Sequence, residues 1–122
     1  MEDEDVYEYL FRLIKPYVKE IQPFRYKPKK DGATLPAEFV TVSVINEGDK
    51  SNTFYDGDSI YYEWYVQIDY VCKDGKKLSP TKKKLKELFK SNNIRISGIR
   101  DNFDDSIKYN YFQMDIILQI EN

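Results

Sequence analysis

The fold is decided by a stretch of strict alternation, Glu63-Trp64-Tyr65-Val66-Gln67-Ile68-Asp69-Tyr70. Large and mostly apolar side chains occupy every second position, Tyr62, Trp64, Val66, Ile68 and Tyr70, and the positions between them are polar or Tyr. Successive side chains of a β-strand point to opposite faces, so a period of two in aromatic and β-branched residues is typical of a half-buried strand. We predict that this strand lies at the centre of a sheet.

The length and composition indicate one compact domain over residues 1–122. A chain of 122 residues buries roughly two thirds of the surface that its unfolded form exposes. Aromatic residues make up 16% of the chain, with 11 Tyr among them, which suffices for a core and argues against disorder. Tyr also suits protein interfaces, although a β-rich core with Tyr at its borders explains the composition equally well.

Charge is distributed unevenly along a chain whose net charge is only −2. Acidic residues crowd the start, and lysines crowd one later segment: Glu2, Asp3, Glu4, Asp5 and Glu8, then Lys73, Lys76, Lys77, Lys82, Lys83, Lys84, Lys86 and Lys90. Such segregation can steer identical subunits head to tail. The alternative is that both are solvated surfaces that keep the protein soluble.

The residues that most chemistry requires are missing from the sequence. There is no His, and Cys72 is the single cysteine, so we predict no disulfide, no zinc site and no other metal or cofactor. Cys72 is expected to be a buried thiol at the end of the central strand. No glycine-rich loop precedes a helix. The sequence therefore predicts a protein that is not an enzyme.

The N-terminal segment predicts a helix, because Val6, Leu10 and Leu13 begin a stripe at three- and four-residue spacing. Pro16 either kinks this helix or ends it near residue 15, leaving residues 17–21 as a separate turn. The first residues are acidic, whereas a signal peptide begins with basic residues followed by an apolar run. No apolar run in the sequence reaches membrane-spanning length. We therefore expect a cytosolic protein without a membrane partner.

The middle of the chain predicts a second strand and a long loop. Residues 24–26 form a candidate edge strand, and residues 39–45 alternate with Val40, Val42 and Val44 on one face. Residues 47–59 are polar and longer than a hairpin requires. Phe54 and Tyr55 lie within this loop, followed by Asp56, and we predict that it contacts a partner.

The C-terminal half predicts a helix and two strands. Leu78-Ser79-Pro80 indicates a helix start with Ser79 as its cap, and lysines from Lys82 to Lys90 are expected to face outward. Strands are predicted over residues 94–99 and 107–120, with a turn over residues 100–106. The predicted fold is α+β, an antiparallel four-stranded or slightly larger sheet with two helices on one face, in the order α-β-β-α-β-β.

The other face of this sheet is predicted to be polar and rich in Tyr. It carries Thr41, Ser43, Glu63, Tyr65, Gln67, Asp69, Tyr109, Tyr111 and Gln113. Antiparallel sheets can leave such a face to water, and it would also suit packing against a neighbouring subunit. The lysine-rich helix has no Arg and no aromatic residue on its exposed side, so we predict no specific nucleic-acid partner, while non-specific phosphate contact stays open.

Several short motifs, taken in order, resemble one family. They are Leu35-Pro36-Ala37-Glu38-Phe39-Val40-Thr41-Val42, then Asn46-Glu47, then Tyr55-Asp56, then Tyr65-Val66-Gln67-Ile68-Asp69. This series is similar to that of the tail-completion (tail terminator) proteins of siphophages and prophages of Gram-positive bacteria, in which a "Y-x-x-Q-V-D" strand precedes a lysine-rich helix. The resemblance covers about residues 35 to 120.

The resemblance implies a structural virion protein that is assembled in the host cytoplasm. Members of the family form a ring, commonly a hexamer, that caps the head-proximal end of the tail. The implied partners are further copies of the chain, the major tail tube protein and the head-closure or connector protein. The ring stops tube polymerisation by geometry, since heterologous contacts can close into rings.

Two alternative functions stay open. The first is a head-closure or connector component, and the second is a small module that binds a host target or nucleic acid through the lysine-rich helix. The residues predicted at the interface are Phe54, Tyr55, Asp56, Tyr65, Gln67, Asp69, Lys82, Lys83 and Lys86.

Overall fold

The computed structural model of the chain describes residues 3–23, 35–49 and 61–121. They form two helices, five strands and one short 3₁₀ turn. In chain order these are α1 (Asp3–Ile14), β1 (Ile21–Pro23), β2 (Glu38–Asp49), β3 (Tyr61–Cys72), the 3₁₀ turn (Gly75–Lys77), α2 (Leu78–Ser91), β4 (Arg95–Asp104) and β5 (Tyr109–Glu121).

The strands form a single mixed sheet in the order β1-β2-β3-β5-β4. The α+β class and the central position of β3 are confirmed. The predicted antiparallel four-stranded sheet is wrong in detail, because the sheet has five strands and β1 runs parallel to β2. The element order is therefore α-β-β-β-α-β-β. The remaining three strand pairs are antiparallel, as predicted.

The parallel strand β1 accounts for this difference. Helix α1 ends at Ile14, two residues before Pro16, which confirms that the proline ends the helix rather than kinking it. After the helix the chain turns, and a hydrogen bond of 3.1 Å from the Val18 amide to the Ile14 carbonyl stabilises this turn. The residues that follow, β1, pair with β2. Residues 17–21 are thus a turn that leads into a strand. The predicted edge strand over residues 24–26 lies outside the described residues.

Both helices pack on the same face of the sheet, as predicted. α1 contributes Val6, Leu10 and Ile14 to a single buried cluster, and α2 contributes Leu85 and Phe89. The sheet supplies the alternate positions of β2, β3 and β5: Val40, Val42, Trp64, Val66, Ile68, Tyr70, Cys72, Phe112, Met114, Ile116 and Leu118. The period of two in the sequence therefore places one complete face of the sheet in the core.

Cys72 ends β3 and is fully buried, which confirms the prediction of a structural thiol. Its Sγ donates to the Asp74 carbonyl oxygen at 3.2 Å. Burial raises the pKa of the thiol, and a raised pKa lowers the fraction of the nucleophilic thiolate.

Helix α2 begins differently from the prediction. Ser79 is not its cap, because the helix already starts at Leu78, directly after the 3₁₀ turn. Asp74 caps that turn by accepting a hydrogen bond from the Lys76 amide at 3.0 Å. The helix ends at Ser91, close to the predicted end, and Asn93 adopts a left-handed conformation with φ 58°, as is common after helix C-termini.

Three predicted boundaries near the hairpins are wrong. β4 continues to Asp104, so the turn predicted over residues 100–106 is mostly strand. β5 begins at Tyr109 rather than at residue 107. β2 continues to Asp49, so residues 47–49 of the predicted loop are strand, and residues 50–60 lie outside the described part. Pairing with a long partner strand extends β2 and β4 into polar sequence.

Candidate interaction surface

The outer face of the sheet, defined as the face turned away from α1 and α2, carries the odd-numbered side chains of β2, β3 and β5. On β3, Tyr65, Gln67 and Asp69 are half-buried, and Thr41 of β2 lies opposite Asp69. β5 places Asp115 opposite Gln67. The structure thus brings together three of the predicted interface residues, Tyr65, Gln67 and Asp69, in one row.

One end of the outer face is apolar. Phe39, Val71 and Tyr109 form a small buried cluster, with Leu35, Ile107 and Tyr111 packed against it. The Tyr109 hydroxyl donates to the Pro36 carbonyl oxygen at 3.0 Å. Tyr109 and Thr41, which we predicted on an open polar face, are only 8% and 6% exposed. The face is therefore part polar surface and part minor core.

A groove of about 460 Å³ lies where the polar row meets this apolar cluster. Its size falls in the range typical of ligand and side-chain pockets, roughly 300–1,000 Å³. Apolar and polar groups both line it: Leu35, Phe39, Thr41, Gln67, Asp69, Val71, Asp104, Ser106, Ile107, Tyr111 and Gln113. The sequence did not identify the groove, because its wall comes from four strands and two connecting segments.

Asp69 provides a half-buried carboxylate at the polar end of the groove. Its carboxylate accepts a hydrogen bond from Gln67 Nε2 at 3.1 Å, and Thr41 also hydrogen-bonds to it. Burial raises the pKa of Asp69, and the nearby negative charge of Asp115 raises it further. The two hydrogen bonds and the positive charge of Arg100 lower this pKa but do not cancel the rise.

Arg100 is engaged elsewhere on the outer face. Its Nη2 donates to Gln113 Oε1 at 3.1 Å and lies 3.7 Å from Asp115 Oδ2. Both side chains of this ion pair are substantially exposed, at 70% and 39%, so the pair contributes little to stability. Asp69 itself has no ion-pair partner among the residues that the structure describes.

We expect Asp69→Asn to stabilise the protein at neutral pH. The wild-type carboxylate is charged and partly desolvated there, whereas Asn keeps an acceptor for Gln67 without the charge. Because the folded pKa is raised, wild-type stability falls as pH rises from the unfolded pKa, roughly 3.9, through the folded pKa. The advantage of the variant should therefore be complete above the folded pKa and absent below the unfolded one.

Urea denaturation at a series of pH values measures this difference. Asp105→Asn is the matched control, since Asp105 is exposed in the turn before β5. A stability gain that is equal in both variants, or one that does not change with pH, would contradict the role assigned to burial of Asp69.

The lysines of α2 lie on the opposite side of the molecule. Lys83, Lys84, Lys86 and Lys90 are exposed, as predicted. Lys82 is not: its Nζ lies 2.5 Å from Asp101 Oδ1 and 5.7 Å from the centroid of the Phe112 ring. The prediction that Lys82 faces outward is wrong, because an acidic residue on the neighbouring strand β4 and an aromatic ring on β5 attract its ammonium group inward.

The remaining predicted interface residues are separated. Lys83 and Lys86 are on the helix side of the sheet, whereas Tyr65, Gln67 and Asp69 are on the outer face, so no single site contains both groups. Phe54, Tyr55 and Asp56 lie outside the described residues. The apolar rim formed by Phe39 and Val71 was missed, although both are apolar residues at otherwise polar-facing positions near the strand ends.

Residues 3–23, 35–49 and 61–121 contain no group of His, Cys, Asp and Glu side chains arranged to hold a metal ion. In the same part of the chain, neither helix has the length and apolar composition needed to cross a membrane. Comparison with known proteins found no matching family profile and no significantly similar curated protein. The functional argument therefore depends on the quoted motifs and on the surface they occupy.

Proposed function

We propose that the chain is a tail-completion protein of a siphophage-type virion. Copies form a ring at the head-proximal end of the tail tube, contact the major tail tube protein on one side and present the other side to a head-closure protein. The ring performs no chemistry. It stops tube growth because its far side does not reproduce the surface that the tube subunits recognise.

The observation that carries this proposal is the position of the family-like motif. Residues 38–42 of the first motif lie on β2 and residues 65–69 lie on β3, and these two strands pair directly in the middle of the sheet. Gln67 and Asp69, the polar residues of that motif, lie on the outer face and take no part in the main core. Asp69 even carries a cost of burial. Residues that lower the stability of the fold and take no part in its core are typical of a contact surface.

Electron microscopy of particles produced without this protein tests the proposal. We expect tailless capsids beside tubes of irregular length, because nothing terminates polymerisation. Supplying the wild-type chain in trans should restore tails of uniform length. Particles with normal tails in the absence of the protein would refute the function.

The same images separate the two virion functions. Tailless capsids beside tubes of uniform length would place the protein at the joining step, as a head-closure component, rather than at termination. Salt-dependent binding of the purified protein to DNA would instead favour the binding module. The exposed lysines of α2 make that measurement worthwhile.

A further inference from the structure

We propose that the groove on the outer face binds α2 of a second copy of this chain, with Asp69 accepting a lysine ammonium group from it. The lysines concerned are Lys83, Lys86 and Lys90, here called the lysine stripe. This inference rests on the proposed function, since it describes the contact by which neighbouring copies form the ring.

The groove matches the shape and chemistry of a lysine side chain. Phe39, Val71 and Ile107 provide an apolar wall, and Asp69 provides a carboxylate at the polar end. A lysine has the same two parts, because its aliphatic stem packs on apolar surface while its ammonium group remains charged. An ion pair formed at a partly desolvated carboxylate is stronger than one in open water.

The lysine stripe is available for such a contact. Its members recur at spacings of three and four residues along α2, so they project from one side of the helix. All three are exposed, and none has an ion-pair partner among the residues that the structure describes. Lys84 is also exposed but lies roughly a quarter turn or more away from the stripe around the helix axis.

The charges of the two surfaces are complementary. Among the described side chains of the outer face, Glu63, Asp69, Asp104 and Asp115 are acidic, and Arg95 and Arg100 are basic. One further basic residue, Lys73, lies next to the groove beside Leu35 and Ile107. The exposed side of α2 is predominantly basic, because it carries four lysines and a single acidic residue, Glu87. Association of unlike surfaces is favoured, and contact between two like surfaces is opposed.

The two surfaces lie on opposite sides of the sheet, and each copy has both. A contact between them is therefore heterologous, and each copy can bind one neighbour through its groove and another through its helix. Repetition of such a contact closes into a ring when the rotation per copy divides a full turn. An isologous contact through either surface alone would stop at a dimer.

Mixing two complementary variants tests the contact. Asp69→Asn removes the negative charge that would pair with the ammonium group and leaves the stripe intact. The triple variant Lys83→Gln, Lys86→Gln and Lys90→Gln removes the stripe and leaves the groove intact. In sedimentation velocity, each variant alone should associate at least about tenfold more weakly than the wild type. This loss is expected when one partner of a desolvated ion pair is removed. A mixture should form one-to-one heterodimers that do not grow, because only one productive contact remains.

Two controls each remove one charge of the corresponding sign elsewhere on the surface. Asp105→Asn alters an exposed turn, and Lys84→Gln alters α2 away from the stripe. Both should associate like the wild type. Three results would each overturn the contact: wild-type association in both interface variants, no heterodimer in their mixture, or a wild-type chain that stays monomeric up to about 1 mM.

The tail assay separates this inference from the proposed function. If Asp69→Asn and the stripe variant still give tails of uniform length, the contact is wrong and the function stands. If copies associate through the groove while tube length is unaffected by the loss of the protein, the function is wrong and the contact stands.

Discussion

Replacing Ile68 with Lys is expected to unfold the protein. Ile68 is fully buried in the middle of β3, between Val42 of β2 and Met114 of β5. A charged group at this position has no partner and no path to water, so the change belongs to the class that costs more than about 4 kcal/mol. That is comparable with the total stability of many domains, roughly 5–15 kcal/mol.

Gln67→Lys is the matched control, one residue earlier on the same strand. Its side chain lies on the outer face, opposite Asp115 and beside Asp69, where an ammonium group meets carboxylates and solvent. We therefore expect the variant to stay folded, with a change in stability far smaller than that of Ile68→Lys. Emission from Trp64, the single Trp of the chain and 5% exposed, reports unfolding in both variants. Equal loss of structure in the two would contradict the assignment of faces on β3.

Phe112→Ala is expected to lower the free energy of unfolding by about 3–5 kcal/mol. The ring is fully buried, its centroid lies 5.3 Å from that of Tyr70, and Lys82 Nζ lies over it. The substitution leaves a cavity between β5 and β3 and removes the aromatic surface on which the Lys82 ammonium rests. Urea denaturation at pH 7 measures the difference.

Phe103→Ala provides the same chemical change at an exposed position. Phe103 is 43% exposed near the end of β4, and we expect a loss within about 0.5 kcal/mol. Similar losses for the two Phe variants would mean that the ring of Phe112 does not hold the sheet and α2 together.

Much of the fold was predictable because its signals are local. The alternation around Val66 and Ile68 identifies β3 and its buried face without reference to any other strand, and Pro16 ends α1 through its own backbone. The buried thiol of Cys72 follows from its place at the end of that strand. These features depend on residues that are close together in the chain, so the sequence alone reveals them.

The features that were missed depend on distant partners. β1 is a strand only because it pairs with β2, and the polar end of β4 is a strand only because it pairs with β5. Lys82 turns inward because Asp101 and Phe112 meet there in space. The groove around Asp69 likewise requires the register of four strands, so the sequence indicated several of its polar residues but not the cavity they form.

The borders of the sheet have a consequence for how copies of this chain behave at high concentration. Among the described residues, β1 pairs with β2 from Ile21 to Pro23, and Pro23 lacks an amide hydrogen. Farther along β2, the Val44 amide donates to the Tyr7 hydroxyl at 3.0 Å. At the other border, β4 carries a bulge between Ile96 and Gly98. A proline, an amide that is already hydrogen-bonded and a bulge at the edge of a sheet all discourage strand addition. Crowded copies are therefore protected from fusing edge to edge into fibrils, which leaves the faces of the sheet as the surfaces for ordered association.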